Sequence, residues 1–364
     1  MTETRFPCQQ CGAKVEFSPG TTELECHYCG ARTAIVQEAV AIEELDYHQM
    51  LRSAAEGQGV TETQMVSCGG CGARYTRDEN VTSDKCPYCD SPQVSEGGSH
   101  KQIKPRSLLP FKITREDGQQ CFRDWIKGLW FAPTALRRGA RSEGQLNGMY
   151  TPYWTYDCGT HSNYTGSRGE YYYVTERYTT TVNGKRVTKT RQVRKTRWYP
   201  ASGAVRNSFD DILVLASETL PQTNALALEP WDLANLVPYD DKYLSGFRAE
   251  AYQIGLEEGF DKAKGKMQGP IRSSICRDIG GDTQRISSVS TTYSGITFKH
   301  VLLPIWISAY RYKDKVYRFL VNGRSGEVQG ERPWSYLKIA FTVIVILAAL
   351  TAFLYFSGAL DGLV

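Results

Sequence analysis

Eight cysteines occur in four C-x2-C pairs near the start of the sequence, and they form two units of identical spacing sixty residues apart. The first unit comprises Cys8, Cys11, Cys26 and Cys29, and the second comprises Cys68, Cys71, Cys86 and Cys89. A gap of two residues lets one tight turn aim both sulfur atoms at one metal ion. Four thiolates complete the tetrahedral shell of Zn²⁺ and leave no position for a catalytic water. The sequence therefore predicts two structural zinc ions.

The residues between the cysteine pairs must bring those pairs together. Each unit has fourteen intervening residues, enough for a short β-hairpin, and Pro19-Gly20 is a turn signal in the first. We therefore predict zinc ribbons over residues 1–37 and 61–97. Residues 38–60 are predicted to be a helical linker, because Asp46 and Gln49 resemble a capping box. Segments this short bury too little apolar surface to fold without metal.

The overall charge does not identify a partner. The formal net charge of the 364 residues is +4, but four thiolates around each of two Zn²⁺ ions bring the metallated chain close to neutrality. Paired cysteines of this kind indicate a reducing compartment, and the N-terminal residues have no apolar run of the secretory type.

A second chemical signal is the apolar stretch from Ile339 to Leu360, twenty-two residues without a charge. As a helix it spans about 33 Å, which matches a hydrocarbon core of about 30 Å. Aromatic and basic residues precede it: Arg332, Trp334, Tyr336 and Lys338. By the positive-inside rule, we predict a tail-anchored, single-pass protein of the inner (cytoplasmic) membrane, with residues 334–360 in the bilayer and the main domain in the cytoplasm.

Residues 98–333 have a mixed helix and strand pattern. The predicted elements are a helix from Thr114 to about Trp130, strands joined at Asn183-Gly184, a helix from about Phe247 to Ile279 interrupted near Gly269-Pro270, and strands from Thr283 onward. The predicted fold class is α+β, with two tandem four-cysteine zinc ribbons, a β-rich α+β cytoplasmic domain and one C-terminal transmembrane helix.

Basic residues are concentrated in the predicted hairpin at residues 170–199. Period-two alternation places four of them on one face, namely Lys189, Arg191, Lys195 and Arg197. Tyrosines flank them. Such a surface suits anionic lipid headgroups or a nucleic-acid backbone, and a solvated hairpin is the third interpretation.

Signatures of common enzymes are missing from the sequence. The Gly-Lys pair between Gly259 and Lys266 lacks the spacing of a phosphate-binding loop, and no G-x-S-x-G or H-E-x-x-H motif occurs. Cys158 and His161 lie three residues apart in a predicted strand, where they would not face each other. We therefore predict a non-enzymatic binding or scaffold protein, without helicase or ATPase motifs and without catalytic residues.

The tandem ribbons, the tyrosine-rich domain, the stretch from Leu302 to Ser335 and the hydrophobic helix together resemble a family of bacterial tail-anchored double zinc-ribbon membrane proteins. Members are often labelled primosomal protein N′ or replication factor Y, although this chain lacks the phosphate-binding loop that such a helicase needs. The family is associated with phage-shock-protein A and SPFH-domain proteins. The resemblance implies an adaptor that docks such a protein partner at the membrane in envelope stress. The alternative is a membrane-tethered nucleic-acid-binding protein related to replication or restart.

Overall fold

The architecture comes from a computed structural model of the chain. It describes residues 6–37, 42–57, 59–69, 73–76, 86, 88, 91, 94–134, 136, 146–182, 185–312 and 315–356. Within these residues the fold is α+β and dominated by long antiparallel strands.

The elements are numbered in chain order. The strands are β1 (Glu16–Phe17), β2 (Glu23–Glu25), β3 (Arg32–Ala34), β4 (Leu45–Asp46), β5 (Val60–Cys68), β6 (Arg74–Tyr75), β7 (Val94–Ile103), β8 (Ser107–Leu108), β9 (Asn147–Val182), β10 (Lys185–Leu215), β11 (Val237–Pro238), β12 (Arg248–Ala249), β13 (Thr283–Tyr312), β14 (Lys315–Asn322) and β15 (Val328–Gly330). The α-helices are α1 (Tyr47–Ala55), α2 (Arg115–Gly128), α3 (Gln222–Leu226), α4 (Leu256–Ile279) and α5 (Tyr336–Phe356). Two 3₁₀ turns, Leu233–Asn235 and Asp241–Leu244, complete the set.

A central sheet organises the molecule, with its main strands in the order β10-β9-β13-β14-β15. β9 and β10 are rich in Tyr, Thr and Val, which favour extended structure. They pair from Val182↔Lys185 at one end to Tyr153↔Leu215 at the other. This pairing confirms the long hairpin predicted from the sequence, although its turn at residues 183–184 lies outside the described part of the chain.

Both faces of the central sheet are covered outside the end of the β9–β10 hairpin, because successive side chains along each strand point to opposite faces. On one face Tyr150, Trp306 and Leu108 pack with residues of the first cysteine unit and with α2. On the other face Tyr153 and Leu109 pack with residues of the second cysteine unit. The two cysteine units therefore cover opposite faces of one sheet, and the neighbouring residues Leu108 and Leu109 point to different cores.

One short segment, residues 245–249, forms hydrogen bonds with both cysteine units. The backbone N–H of Phe17 donates to the carbonyl of Ser245 at 2.9 Å, which attaches the first unit. The N–H of Thr76 donates to the carbonyl of Ala249 at 2.9 Å, which attaches the second. Residues 245–249 thus connect the two ribbons across the edge of the sheet.

Of the two helices predicted in residues 98–333, the first begins as expected and the second differs from the prediction. Thr114 caps α2 by accepting a hydrogen bond from the N–H of Asp117 at 3.1 Å, as the sequence indicated. The predicted interruption near Gly269-Pro270 is wrong, because α4 continues from Leu256 to Ile279 with Pro270 inside it. Pro270 is exposed, and so is Lys266, whose carbonyl loses its helical partner to the proline. The segment before Leu256, predicted to be helical from Phe247, contains β12 instead.

The predicted boundary at residues 97 and 98 falls inside β7. β7 pairs with β5 from Val60↔Ile103 to Cys68↔Val94, so the second ribbon shares a strand with the predicted middle domain. The predicted linker also joins the sheet, since Asp46 of β4 pairs with Thr297 of β13. α1 follows as predicted, with Asp46 accepting a hydrogen bond from the N–H of Gln49 at 2.7 Å.

α5 is long and apolar enough to cross a membrane. Its window Tyr336–Leu354 covers 19 residues with a mean hydropathy of 2.5, and none of that window is buried against the rest of the protein. The composition is compatible with single-pass anchoring.

Candidate functional site

The first cysteine unit brings its four sulfur atoms together. The Sγ atoms of Cys8 and Cys29 lie 3.6 Å apart, as do those of Cys11 and Cys26, and all four lie within 4.8 Å of one another. A tetrahedral Zn²⁺ with Zn–S bonds of about 2.3 Å needs sulfur atoms separated by about 3.8 Å. The four cysteines therefore fit one metal ion.

Backbone geometry explains how each pair aims at a common centre. The N–H of Cys8 donates to the carbonyl of Ala13 at 2.7 Å, and the N–H of Cys26 donates to that of Ala31 at 2.9 Å. Gly12 and Gly30 close these turns with φ values of 75° and 72°, which side-chain-bearing residues rarely adopt. The two halves of the unit are thus the same turn used twice.

The same backbone favours thiolates at two of the four positions. The N–H groups of Cys11 and Gln10 lower the pKa of Cys8 to about 7. The N–H groups of Cys29 and Tyr28 lower the pKa of Cys26 in the same way. The thiolate is the ligand form, and an ion held by all four cysteines would crosslink the chain rather than perform chemistry.

The second unit has the same turn geometry wherever it is described. The N–H of Cys68 donates to the carbonyl of Ala73, and that of Cys86 to the carbonyl of Ser91, both at 2.9 Å. These bonds span five residues, as they do in the first unit. Cys71 and Cys89 lie outside the described residues, so the second predicted zinc ion stays a prediction.

Burial follows the repeat as well. The first cysteine of each pair is buried in both units, with exposed fractions of 5% for Cys8, 0% for Cys26, and 2% for each of Cys68 and Cys86. Cys11 and Cys29 are exposed. Each ribbon therefore packs the first cysteine of both its pairs into the core of the protein.

The basic hairpin forms a second candidate site, which we call the arm and define as residues 170–182 of β9 and 185–197 of β10. β13 stops pairing with β9 at Gly169, so the arm continues as two strands alone. Thirteen residues of strand correspond to about 43 Å. Its net charge is +6, from eight basic and two acidic side chains.

Residues of β9 reduce the positive charge of the face that carries Lys189, Arg191, Lys195 and Arg197. Glu176 lies opposite Arg191 and forms ion pairs with both Arg191 and Lys195, at 3.4 and 3.2 Å. Lys189 and Arg197 lie opposite Tyr178 and Glu170. The sequence-based prediction missed this partial neutralisation, because it considered only the basic residues of the hairpin. The two-residue turn fixes the register that places Glu176 among them.

The opposite face of the arm is purely basic. Arg177, Arg186 and Arg194 occupy it with no carboxylate between them, because both glutamates of the arm lie on the other face. The Arg194 guanidinium lies 4.2 Å from the centre of the Tyr171 ring, a cation–π contact. This face was not singled out from the sequence, although the same alternation predicts it.

The contacts of two other groups of reactive residues indicate a role in the fold. Cys158 is buried with its Sγ 3.7 Å from the Sδ of Met267, whereas His161 is exposed, so the pair does not meet. Glu44, Asp157 and Asp210 lie within 4.8 Å of one another, a cluster that the sequence did not suggest. Lys299 lies beside it, 3.2 Å from Glu44 and 2.8 Å from Asp211, and supplies the cation. Burial raises the pKa of Asp157 to about 6.

Comparison with known proteins finds a bacterial relative. The chain is 27% identical over 239 residues to the uncharacterized protein YdjG of Bacillus subtilis (strain 168), a match that covers 65% of this chain. It spans 66% of that relative, just under two thirds of its length. No protein-family model and no solved structure matches the chain.

Proposed function

We propose that this chain is a membrane-anchored, non-enzymatic zinc-ribbon adaptor that docks a protein partner at the inner membrane. The observation that carries the proposal is the arm, a two-stranded projection with exposed side chains on both faces. The two ribbons and the central sheet serve in this proposal as the platform that holds the arm and connects it to α5.

The arm is difficult to explain by stability alone. A two-stranded hairpin is marginally stable in water, because neither face buries apolar surface against another layer. Here Tyr173 is 65% exposed and Val187 is 39% exposed. Cation–aromatic contacts order the side chains without covering them, as with Arg197 at 5.2 Å from the Tyr172 ring. An ordered, basic and tyrosine-rich surface of this kind suits an acidic macromolecule.

The position of the arm favours a partner that stands away from the anchor. β9 begins at Asn147, beside Ile307, in the part of the sheet against which α2 packs. It ends at Val182, so about 110 Å of strand contour separates the two ends. Lipid binding through Lys189, Arg191, Lys195 and Arg197 therefore requires the sheet to lie along the bilayer.

The resemblance to double zinc-ribbon membrane proteins supplies candidate partners. A phage-shock-protein A-like or SPFH-domain protein is a peripheral or membrane-bound protein of the kind that such an adaptor would recruit. A role in envelope stress and a cytoplasmic orientation of the main domain are part of the same proposal.

Co-purification from solubilised membranes tests the proposal. The parent should retain a phage-shock or SPFH protein, quantified by mass spectrometry. Replacing Lys189, Arg191, Lys195 and Arg197 by Gln should reduce recovery about tenfold, since each exposed ion pair contributes up to about 0.5 kcal/mol. The matched control replaces four exposed cations elsewhere, Arg52, Lys112, Arg272 and Arg277. Equal recovery with both variants would remove the arm from the proposal.

The nucleic-acid alternative has one observation in its favour. The major groove of DNA admits a two-stranded β-ribbon, and the arm is a basic one. The discriminating measurement is a duplex-DNA shift with the full chain in neutral lipid nanodiscs. Binding that falls steeply with salt, and that the four Gln substitutions abolish, would replace the adaptor proposal by this alternative.

A further inference from the structure

The loop that follows α2 is fastened to the beginning of α5. The N–H of Ser335 donates to the carbonyl of Phe131 at 2.7 Å. The ammonium group of Lys338 donates to the carbonyls of Trp130 and Ala132, at 3.2 and 2.7 Å. Three consecutive carbonyls of this loop therefore bind the first residues of the candidate membrane helix.

These contacts fix the height of the loop along α5. Lys338 is the third residue of the helix, and a rise of 1.5 Å per residue places it about 3 Å from the helix start at Tyr336. The loop thus lies level with the first turn of α5. Whatever medium surrounds that turn also surrounds the exposed side chain of Trp130.

The side chains of this junction have the composition of a membrane interface. Trp130 is 67% exposed, Tyr336 is 82% exposed and Trp334 is 48% exposed. The ring centres of Phe131 and Trp334 lie 6.5 Å apart, so the loop and the helix approach share one aromatic cluster. Exposed tryptophans and tyrosines at this position are typical of the boundary between headgroups and hydrocarbon.

The polar groups of the junction also suit that boundary. Lys338 satisfies two loop carbonyls that would otherwise enter a layer poor in water. Arg332 stacks on Trp334, with its guanidinium 4.4 Å from the ring centre, and Lys127 is exposed at the end of α2.

We propose that the loop after α2 forms a second membrane contact through Trp130, which is seated in the headgroup layer of the leaflet that α5 enters. The ligand is the lipid interface itself. This inference rests on the membrane anchoring in the proposed function and adds a fixed attachment: the body meets the bilayer through a loop as well as through one helix. The sheet is thereby held at a defined angle rather than on a free tether.

Tryptophan quenching by brominated phosphatidylcholine tests the contact. The full chain is reconstituted in vesicles of brominated and unbrominated phosphatidylcholine, as parent and as the variants Trp130→Phe, Trp334→Phe and Trp198→Phe. Trp130 and Trp334 are the interfacial tryptophans of the proposal, so removing either should lower the quenched emission by about half. Trp198 lies at the base of the arm, and its removal should leave the quenched emission unchanged.

The outcomes separate this inference from the anchoring on which it rests. If Trp334→Phe lowers the quenching and Trp130→Phe does not, the loop stays in water and the inference is overturned while the anchor stands. If neither lowers it, α5 is not inserted and both fail. A second variant, Lys338→Met, removes the bonds to the loop. In the Trp334→Phe background, Lys338→Met should reduce the quenching that Trp130 contributes. In the Trp130→Phe background, it should preserve the quenching that Trp334 contributes. Unchanged quenching in both backgrounds would show that Lys338 does not position the loop.

Discussion

The two ribbons have the same cysteine spacing and, in the described residues, the same hydrogen bonds closing their turns, but they are built into the protein in different ways. The first closes its own three-stranded sheet, β1-β2-β3, and packs on one face of the central sheet. The second uses β6-β5-β7, whose two long strands run on into the body, and packs on the other face. The sequence repeat therefore determines the turns that carry the cysteines. The way in which each ribbon attaches to the central sheet depends on residues outside the repeat.

The comparison also bears on whether the ribbons act separately. The sequence predicts two ions, each held by its own four cysteines. In the structure both ribbons hydrogen-bond to residues 245–249 and both enter cores of the same sheet. We therefore expect each ion to be bound by its own ribbon. We expect the loss of either ion to destabilise the central sheet that both ribbons share.

Loss of metal should give the largest effect. Cys26→Ser and Cys86→Ser change equivalent buried positions, and each should reduce zinc from two ions per chain to one. Structural zinc contributes about 10–16 kcal/mol in isolated fingers, more than a ribbon can replace by packing. Elemental analysis gives the stoichiometry, and hydrogen exchange should show β1–β3 opening in the first variant and β5–β7 in the second.

Cys276→Ser is the control for metal loss, because Cys276 lies outside both units and should leave two ions bound. A parent chain with one ion, unaffected by Cys86→Ser, would show that the second unit holds no metal. Opening of both ribbons in either variant would instead show that residues 245–249 couple them.

Core substitutions at two neighbouring positions should separate the faces. Leu108 and Leu109 are both fully buried, and Leu→Ala at such sites costs about 2–5 kcal/mol. Leu108→Ala should increase hydrogen exchange in the first ribbon and Leu109→Ala in the second, with similar losses in thermal stability. Leu226→Ala, at a position 41% exposed, is the control. Increased exchange in the same ribbon for both variants would contradict the assignment of opposite faces.

Acid should weaken the attachment of the second ribbon. The Nδ1 atom of His300 lies 2.8 Å from the carbonyl oxygen of Ile103, the last residue of β7. Burial lowers the pKa of His300 to about 4, against about 6.5 in an unfolded chain. The unfolded state therefore binds more protons between these values, and the free energy of unfolding falls as pH drops through this window. At pH 5 the loss is about 2 kcal/mol.

The measurement is the difference in unfolding free energy between the parent and His300→Gln at pH 7 and at pH 5. Taking the difference at each pH cancels any release of metal that both proteins share. Replacing the exposed His161 by Gln should retain the parent's pH dependence. Should His300→Gln lose as much stability on acidification as the parent, His300 is not the sensor.

The sequence was informative wherever one local rule decides the structure. The first cysteine turns, the caps at Asp46 and Thr114, the long hairpin and the apolar helix each depend on residues within a few positions or on simple periodicity. All of these were predicted. For the first cysteine unit, the four sulfur atoms fit one ion as expected.

The remaining features depend on contacts between distant residues. α4 continues through Pro270 because the residues on either side of it, such as Met267 and Ile271, are buried in the core, which local propensity cannot indicate. The boundary at residues 97 and 98 was predicted from the end of a cysteine motif, although β7 pairs across it. The effect of Glu176 on the basic face depends on the register of β9 with β10. Each miss is a tertiary contact that overrides a local pattern.

The central position of β13 has a consequence for the order of assembly. This strand pairs with β4, β8, β9 and β14, and the pair Asp46↔Thr297 joins residues 251 positions apart. Because synthesis proceeds from the N terminus, both ribbons and the β9–β10 hairpin emerge before the strand that completes their sheet. Their apolar faces stay uncovered until β13 has been synthesised. α5 begins 24 residues after the end of β13. Closure of the core and emergence of α5, the candidate membrane helix, are thus consecutive events, and a delay in closure would expose the unfinished sheet to aggregation.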